Sequence, residues 1–295
     1  MKKLAKIFLI TTLIATIAIS AGTLVACNKN NEKTISVCAS DIPHAEILNG
    51  VVKDILASKG YTLKVKILDW SEQNSAVANK DYDANYFQHE PYLLSGDYAS
   101  QLFLSCKVHY EPLGVYYGKA RAGTSVADGT SFAICNDYSN AARALQLLET
   151  NGVFSKTTEG ANYPLSNTGE LAFNGDKWTS TTGVEIRLIA ENLLVASMTD
   201  YDFVCLPCNT ALTGNISADN NHRAAVESDS AQVTGKANGL AARKNDYQND
   251  KTYQTKIDVL TDALLSDEVK EYIAQKYNNV IICNDQTQID LRQSL

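Results

Sequence analysis

The sequence predicts an α/β protein of two lobes with a cleft between them, because two separate runs of strand and helix signals occur in one chain. The first run opens on Thr34-Ile35-Ser36-Val37-Cys38-Ala39, a short apolar strand. Pro43 then opens a helix whose apolar positions Ile47, Leu48, Val51, Val52, Ile55 and Leu56 recur at helical spacing, ended by Gly60. Leu63, Val65 and Ile67 alternate with Lys64 and Lys66, the pattern of a second strand. Strand, helix and parallel strand in that order form a βαβ unit. A polar helix over Ser71 to Asn79 and an apolar-aromatic segment from Tyr82 to Phe87 follow.

The second run starts after residue 116. Ser131 to Cys135 reads as a strand, and Tyr138 to Thr150 as a helix with Ala141, Ala142, Leu145 and Leu148 on one face, with Gly152 past its end. Residues 155–183 are polar and rich in Thr, Asn and Gly, an excursion or long loop. Val184 to Leu188 alternates as a strand, Glu191 to Ser197 reads as a helix and Phe203 to Leu206 as a strand. Two helices, Lys251 to Leu265 and Asp267 to Tyr277, precede a last strand from Val280 to Cys283, and residues 284–295 read as a loose polar tail. A cleft between two such lobes is a common place for a ligand.

The N-terminus carries a separate signal. Lys2, Lys3 and Lys6 precede an apolar run from Ile7 to Ala21, and Leu24-Val25-Ala26-Cys27 follows. This is a charged region, an apolar region and a small-residue cleavage site. The last four residues resemble a bacterial lipobox, which implies that Cys27 is diacylated and begins the mature chain. The apolar stretch is about long enough to span a bilayer, but the polar Asn28-Lys29-Asn30-Asn31 after the cysteine favours the lipoprotein reading. Residues 1–26 are then a signal peptide and 27–33 a tether, on an exported protein anchored to the outer face of the cytoplasmic membrane, or in the periplasm where a second membrane exists.

Of 295 residues, 269 remain once those 26 are removed, and losing three signal lysines with no acid takes the net charge from −7 to −10. An acidic surface argues against nucleic acid as a partner. Besides Cys27 there are Cys38, Cys106, Cys135, Cys205, Cys208 and Cys283. Four of them sit in strand-like runs, where free cysteine behaves as a small apolar side chain. Cys205-Leu206-Pro207-Cys208 admits a redox pair or half a zinc site. No second CxxC accompanies it, and His44, His89, His109 and His222 show no ligand spacing. No nucleophile–base set, phosphate loop or metal cluster is evident, so neither catalysis nor a cofactor is expected.

Longer motifs carry a family resemblance. Asp81-Tyr82-Asp83-Ala84-Asn85-Tyr86-Phe87-Gln88-His89-Glu90-Pro91-Tyr92-Leu93 closely resembles the D-x-D-A-N-Y-F-Q-H-x-P-Y-L segment of the NlpA/MetQ family, lipoproteins that capture methionine for ABC importers. Ile42-Pro43-His44-Ala45-Glu46-Ile47-Leu48 is similar to its V-P-H-A-E-I-L, Val108 to Tyr116 to its V-H-x-E-P-M-G-L-Y, and Ala133 to Asp137 with Arg143-Ala144-Leu145 to its A-I-P-N-D followed by R-A-L. The resemblance spans about residues 34–283 in matching order. It implies a bilobed periplasmic-binding-protein-like fold with two α/β lobes joined by two hinge strands, near Gly114–Tyr116 and Asn238–Leu240. Lobe one is then residues 34–115 plus 239–295, and lobe two is 116–238.

The resemblance also implies a site. Arg143 is placed for the carboxylate of an amino acid, for which a bidentate guanidinium is chemically suited. Trp70, Phe87, His89 and Tyr92 stand where the family encloses the methionine side chain, and aromatic rings make favourable contacts with sulfur. Asn238 matches one of two amides that hold the ligand's polar end. The other departs: V-I-N-x-N-Y-A-L in the family is Cys205-Leu206-Pro207-Cys208-Asn209-Thr210-Ala211-Leu212 here. Pro207 has no polar side chain and no amide hydrogen, which costs a buried partner about 1–3 kcal/mol. Weaker affinity, substitution by Asn209, or a ligand other than free methionine are the alternatives that follow. The implied partners are a small ligand, methionine or a related amino acid, an ABC permease with its ATPase, and the membrane through the lipid anchor. An exported thiol-redox lipoprotein using Cys205 and Cys208, and a surface adhesion lipoprotein, are the competing readings.

Overall fold

Two separate β-sheets organise the chain, one for each lobe of a bilobed α/β fold, in the computed structural model. It describes residues 32–157, 170–173, 176–180, 183–228, 234–278 and 280–295. The lipobox, Cys27 and most of the tether therefore lie outside the described residues. No described helix is long and apolar enough to cross a membrane.

The first sheet joins β1 (Thr34–Ala39), β2 (Thr62–Ile67), β3 (Ala84–His89), β4 (Leu102–His109), β13 (Asn238–Arg243) and β14 (Ile289–Asp290) in the order β14-β4-β13-β3-β1-β2. β1 runs parallel to β2 and β3, as the opening βαβ pattern requires, while β13 is antiparallel to both of its neighbours. The second sheet joins β5 (Leu113–Tyr117), β6 (Ser131–Cys135), β10 (Glu185–Ile189), β11 (Phe203–Pro207) and β12 (Arg223–Val226) in the order β10-β6-β11-β5-β12. The chain thus crosses from first to second sheet between His109 and Leu113, and returns between Val226 and Asn238.

Strands β3, β4 and β13 are buried along their whole length, because helices and loops cover both faces of the first sheet's centre. β13 fits there only through Gly239, where a Cβ would come within 2.0 Å of the Cys106 carbonyl oxygen. The ladder shifts register at that point. The core of the first lobe packs Ile47, Leu48 and Leu56 against Leu260, Leu264 and Ile273 of the two late helices, Lys251–Leu264 and Asp267–Tyr277. In the second lobe, Leu145 and Leu148 of the Tyr138–Thr150 helix cover Ile134, beside the stacked rings of Phe132 and Phe203, 5.0 Å apart.

Four expectations need correction. The helix after Pro43 is not continuous: wide turns at Asp41–Ala45 and Leu48–Val52 interrupt it, the second broken at Gly50 (ψ −114°), where the Tyr272 ring occupies the space that a Cβ would need. Within 155–183, β7 (Phe154–Thr157), β8 (Glu170–Phe173) and β9 (Asp176–Ser180) form an antiparallel sheet, tied down by Trp178 buried in the second core. Val280–Cys283 makes a single bridge, Tyr110 to Ile282, rather than a strand. The final residues are not loose: β14 pairs with β4, the buried Thr287 hydroxyl donates to the Val108 carbonyl at 3.0 Å, and Arg292 binds Asp258, Asp262 and Asp290.

Candidate ligand-binding cleft

A cavity of about 530 Å³ opens between the lobes, and Trp70, Phe87, His89, Tyr92, Arg143, Asn209 and Asn238 all line it. Pro207 is in its wall as well. The first lobe supplies the aromatic side. Asp69 caps the Trp70–Ala78 helix by accepting the Ser71 N–H at 3.0 Å, which sets Trp70 at the helix start. The Trp70 and Tyr92 rings lie 4.9 Å apart, Phe87 and Tyr92 5.7 Å apart in an edge-to-face arrangement.

His89 ends β3 and caps the Glu90–Ser95 helix, its Nδ1 accepting the Tyr92 N–H at 3.2 Å. That bond assigns the remaining proton to Nε2, which donates across the cleft to Asn140 Oδ1 at 3.3 Å. Burial, reinforced by the Arg143 cation, pushes the His89 pKa down to about 4, so the ring is neutral near pH 7.

The second lobe supplies the charge. Asp137 caps the Tyr138–Thr150 helix and holds Asn140 through both its N–H and its Nδ2. One turn on, Arg143 is 3% exposed. Its Nε and Nη2 bind Glu227 Oε1 and Oε2 at 3.1 and 2.6 Å, Nη2 also donates to the Glu111 carbonyl at 2.8 Å, and Nη1 donates to Asn140 Oδ1 at 3.2 Å. The bidentate edge expected to meet a ligand carboxylate is therefore turned onto Glu227. Burial opposes ionisation of Glu227, but Arg143, Lys236 and Tyr110 outweigh it and lower its pKa to about 2.

Asn238, at the returning crossing, sits on a buried polar network. Its Nδ2 is 3.2 Å from His44 Nε2, which in turn is 3.4 Å from Glu111 Oε1. His109 Nε2 donates to the same oxygen at 2.9 Å, and its Nδ1 accepts from the Tyr86 hydroxyl at 2.5 Å. The network ties both crossings to the first lobe. His44, His109 and Glu111 bring three ligand atoms within 4.8 Å of one another, a convergence that their spacing in sequence hides. Two imidazoles and a carboxylate suit a divalent transition ion, but here His109 donates to Glu111 and the His44 nitrogen accepts from Asn238.

Sequence reasoning missed Glu227 and Glu191. Glu227 lies 84 residues from Arg143 and stands in no motif. Glu191 lines the cavity and accepts a hydrogen bond from Thr210, yet in sequence it reads as an ordinary acid in a helix's first turn. Cys205 and Cys208 are buried, and burial pushes the Cys205 thiol up to about 12 and Cys208 well above its usual value. Thiol exchange needs an accessible thiol with a lowered pKa, so the redox reading loses its support.

The model of the NlpA lipoprotein family matches residues 35–283. The chain belongs to the NlpA lipoprotein family. Among its relatives, the methionine-binding lipoprotein MetQ of Bacillus subtilis is 30% identical over 279 residues, covering 91% of this chain and 96% of that protein. A solved structure of a nutrient binding protein from Burkholderia cenocepacia bound to methionine superposes with a TM-score of 0.71 at 27% identity, covering 85% of this chain and 99% of that one. A periplasmic substrate-binding protein of an ABC transporter from Coxiella burnetii superposes at 0.69 with 25% identity, covering 85% and 100%. Other NlpA relatives are likewise lipoproteins, among them the membrane lipoprotein TpN32 of Treponema pallidum, 28% identical over 264 residues.

Proposed function

We propose that this protein is the lipid-anchored substrate-binding component of an ABC importer, which captures L-methionine or a closely related amino acid between its lobes and delivers it to the permease. The observation that carries this reading is the meeting of all seven resemblance-implied residues, from five separate stretches of chain, around one cavity. The aromatic wall of Trp70, Phe87 and Tyr92 suits an apolar or thioether side chain. Arg143 and Asn238 suit the polar end. The methionine named for two relatives agrees with that chemistry.

In this reading Cys27 carries the lipid on the outer face of the cytoplasmic membrane. The two lobes close on the ligand about the crossings at 109–113 and 226–238. A thermal-shift screen of amino acids against the mature chain tests it: ligands that bind the closed form raise the melting temperature. A rise confined to methionine and similar side chains is expected, and no rise with any amino acid overturns the reading. Cys27→Ser should abolish lipid labelling and leave the precursor uncut.

A further inference from the structure

Glu191 is a carboxylate of the cleft wall with no cation beside it among the described residues. The Thr210 hydroxyl donates to it, and Asp69, Glu111 and Asp137 add negative charge to its surroundings. Burial first, and then these acids, raise its pKa above the ordinary carboxylate value. A cation entering the cavity relieves that deficit. Arg143, in the same cavity wall, is already paired with Glu227 and does not serve Glu191. The cavity wall thus carries a guanidinium at one place and, at another, a carboxylate without a counter-ion, an arrangement that fits the two ends of a zwitterion. Pro207, which has no polar side chain, lies in the same wall as Glu191 and Thr210.

We propose that Glu191, oriented by Thr210, receives the α-ammonium group of the ligand, so that the cleft selects amino acids with a free ammonium and rejects des-amino and N-acylated analogues. The proposal rests on the amino-acid reading above.

Calorimetry with L-methionine and with its des-amino analogue, on the mature wild type and on Glu191→Gln, tests it. The wild type should prefer L-methionine over the analogue by more than about tenfold. Glu191→Gln should lose about tenfold to a hundredfold in L-methionine affinity, the range of one charge-assisted hydrogen bond, while its affinity for the analogue stays unchanged. Because the ammonium favours ionised Glu191, wild-type affinity should also fall as pH drops through the raised pKa of Glu191, and the variant should lack that part of the fall. The substitution is isosteric, and thermal unfolding checks its fold. Equal binding of methionine and the analogue by the wild type overturns the proposal, and so does a variant that keeps the preference and the pH profile. If the wild type binds no amino acid at all, the reading of the cleft itself fails. If it binds methionine and the preference survives the substitution, only the role of Glu191 fails.

Discussion

Arg143 gives the two-pronged edge of its guanidinium to Glu227, with Nε 3.1 Å from Oε1 and Nη2 2.6 Å from Oε2. The arginine is therefore fixed before any ligand arrives, and its fork is already occupied. Side-chain entropy is spent in folding instead of binding, which favours affinity per contact.

Removing Glu227 should damage folding first. Glu227→Ala leaves a buried guanidinium without its counter-ion and should cost about 3–5 kcal/mol in denaturant unfolding. The pair also sets an acid limb of stability. The folded pKa is depressed to about 2, so its contribution is complete above the unfolded value of about 4.3 and is lost as pH falls toward about 2. Thermal unfolding against pH should show a flatter acid limb in Glu227→Gln than in the wild type. Parallel curves would mean that the pair contributes nothing measurable.

Arg143→Lys keeps a charge but cannot make the bidentate pair. It should lose about 1–3 kcal/mol of stability and weaken amino-acid binding together with it. Arg143→Ala should weaken binding by about 1.5–3 kcal/mol, the worth of one charge-assisted hydrogen bond. Titration calorimetry on both variants checks this, and undiminished affinity in Arg143→Ala would remove the residue from the site.

What the sequence revealed followed the reach of its signals. β1, β2, the Tyr138–Thr150 helix and the paired late helices announced themselves through apolar spacing over a few turns. The motif around Phe87 and His89 placed the aromatic wall only because it resembles a known family. Glu227 and Glu191 escaped both routes, since each gains its meaning from a partner brought close by the fold. The β7–β9 sheet was hidden because its strands are only four or five residues long and lie in a stretch rich in Thr, Asn and Gly, with Trp178 as the buried anchor. The C-terminal residues were hidden because a single buried threonine and an arginine with three carboxylates hold them, not an apolar stripe.

Pro207 ends β11 in the cavity wall, at the start of the Cys208–Thr213 helix. If the family's amide position is useful to the ligand, Pro207→Asn should tighten L-methionine binding by about 0.5–1.5 kcal/mol with the melting temperature little changed. Calorimetry reads the gain, and a loss of affinity would show that the proline suits the ligand this protein takes.

The buried cysteines should behave as core side chains. In the native protein Cys38, Cys106, Cys135, Cys205 and Cys208 should react with an aromatic disulfide reagent only as fast as the structure opens, and in denaturant they should react at once. Rapid native modification of Cys205 or Cys208 would restore the thiol-exchange reading.

The most direct test is calorimetric titration of L-methionine into the mature chain, after unfolding and refolding to strip any bound ligand. The account predicts one site per chain with micromolar or tighter affinity. Folded protein that gives no heat with L-methionine or with any other amino acid would contradict it.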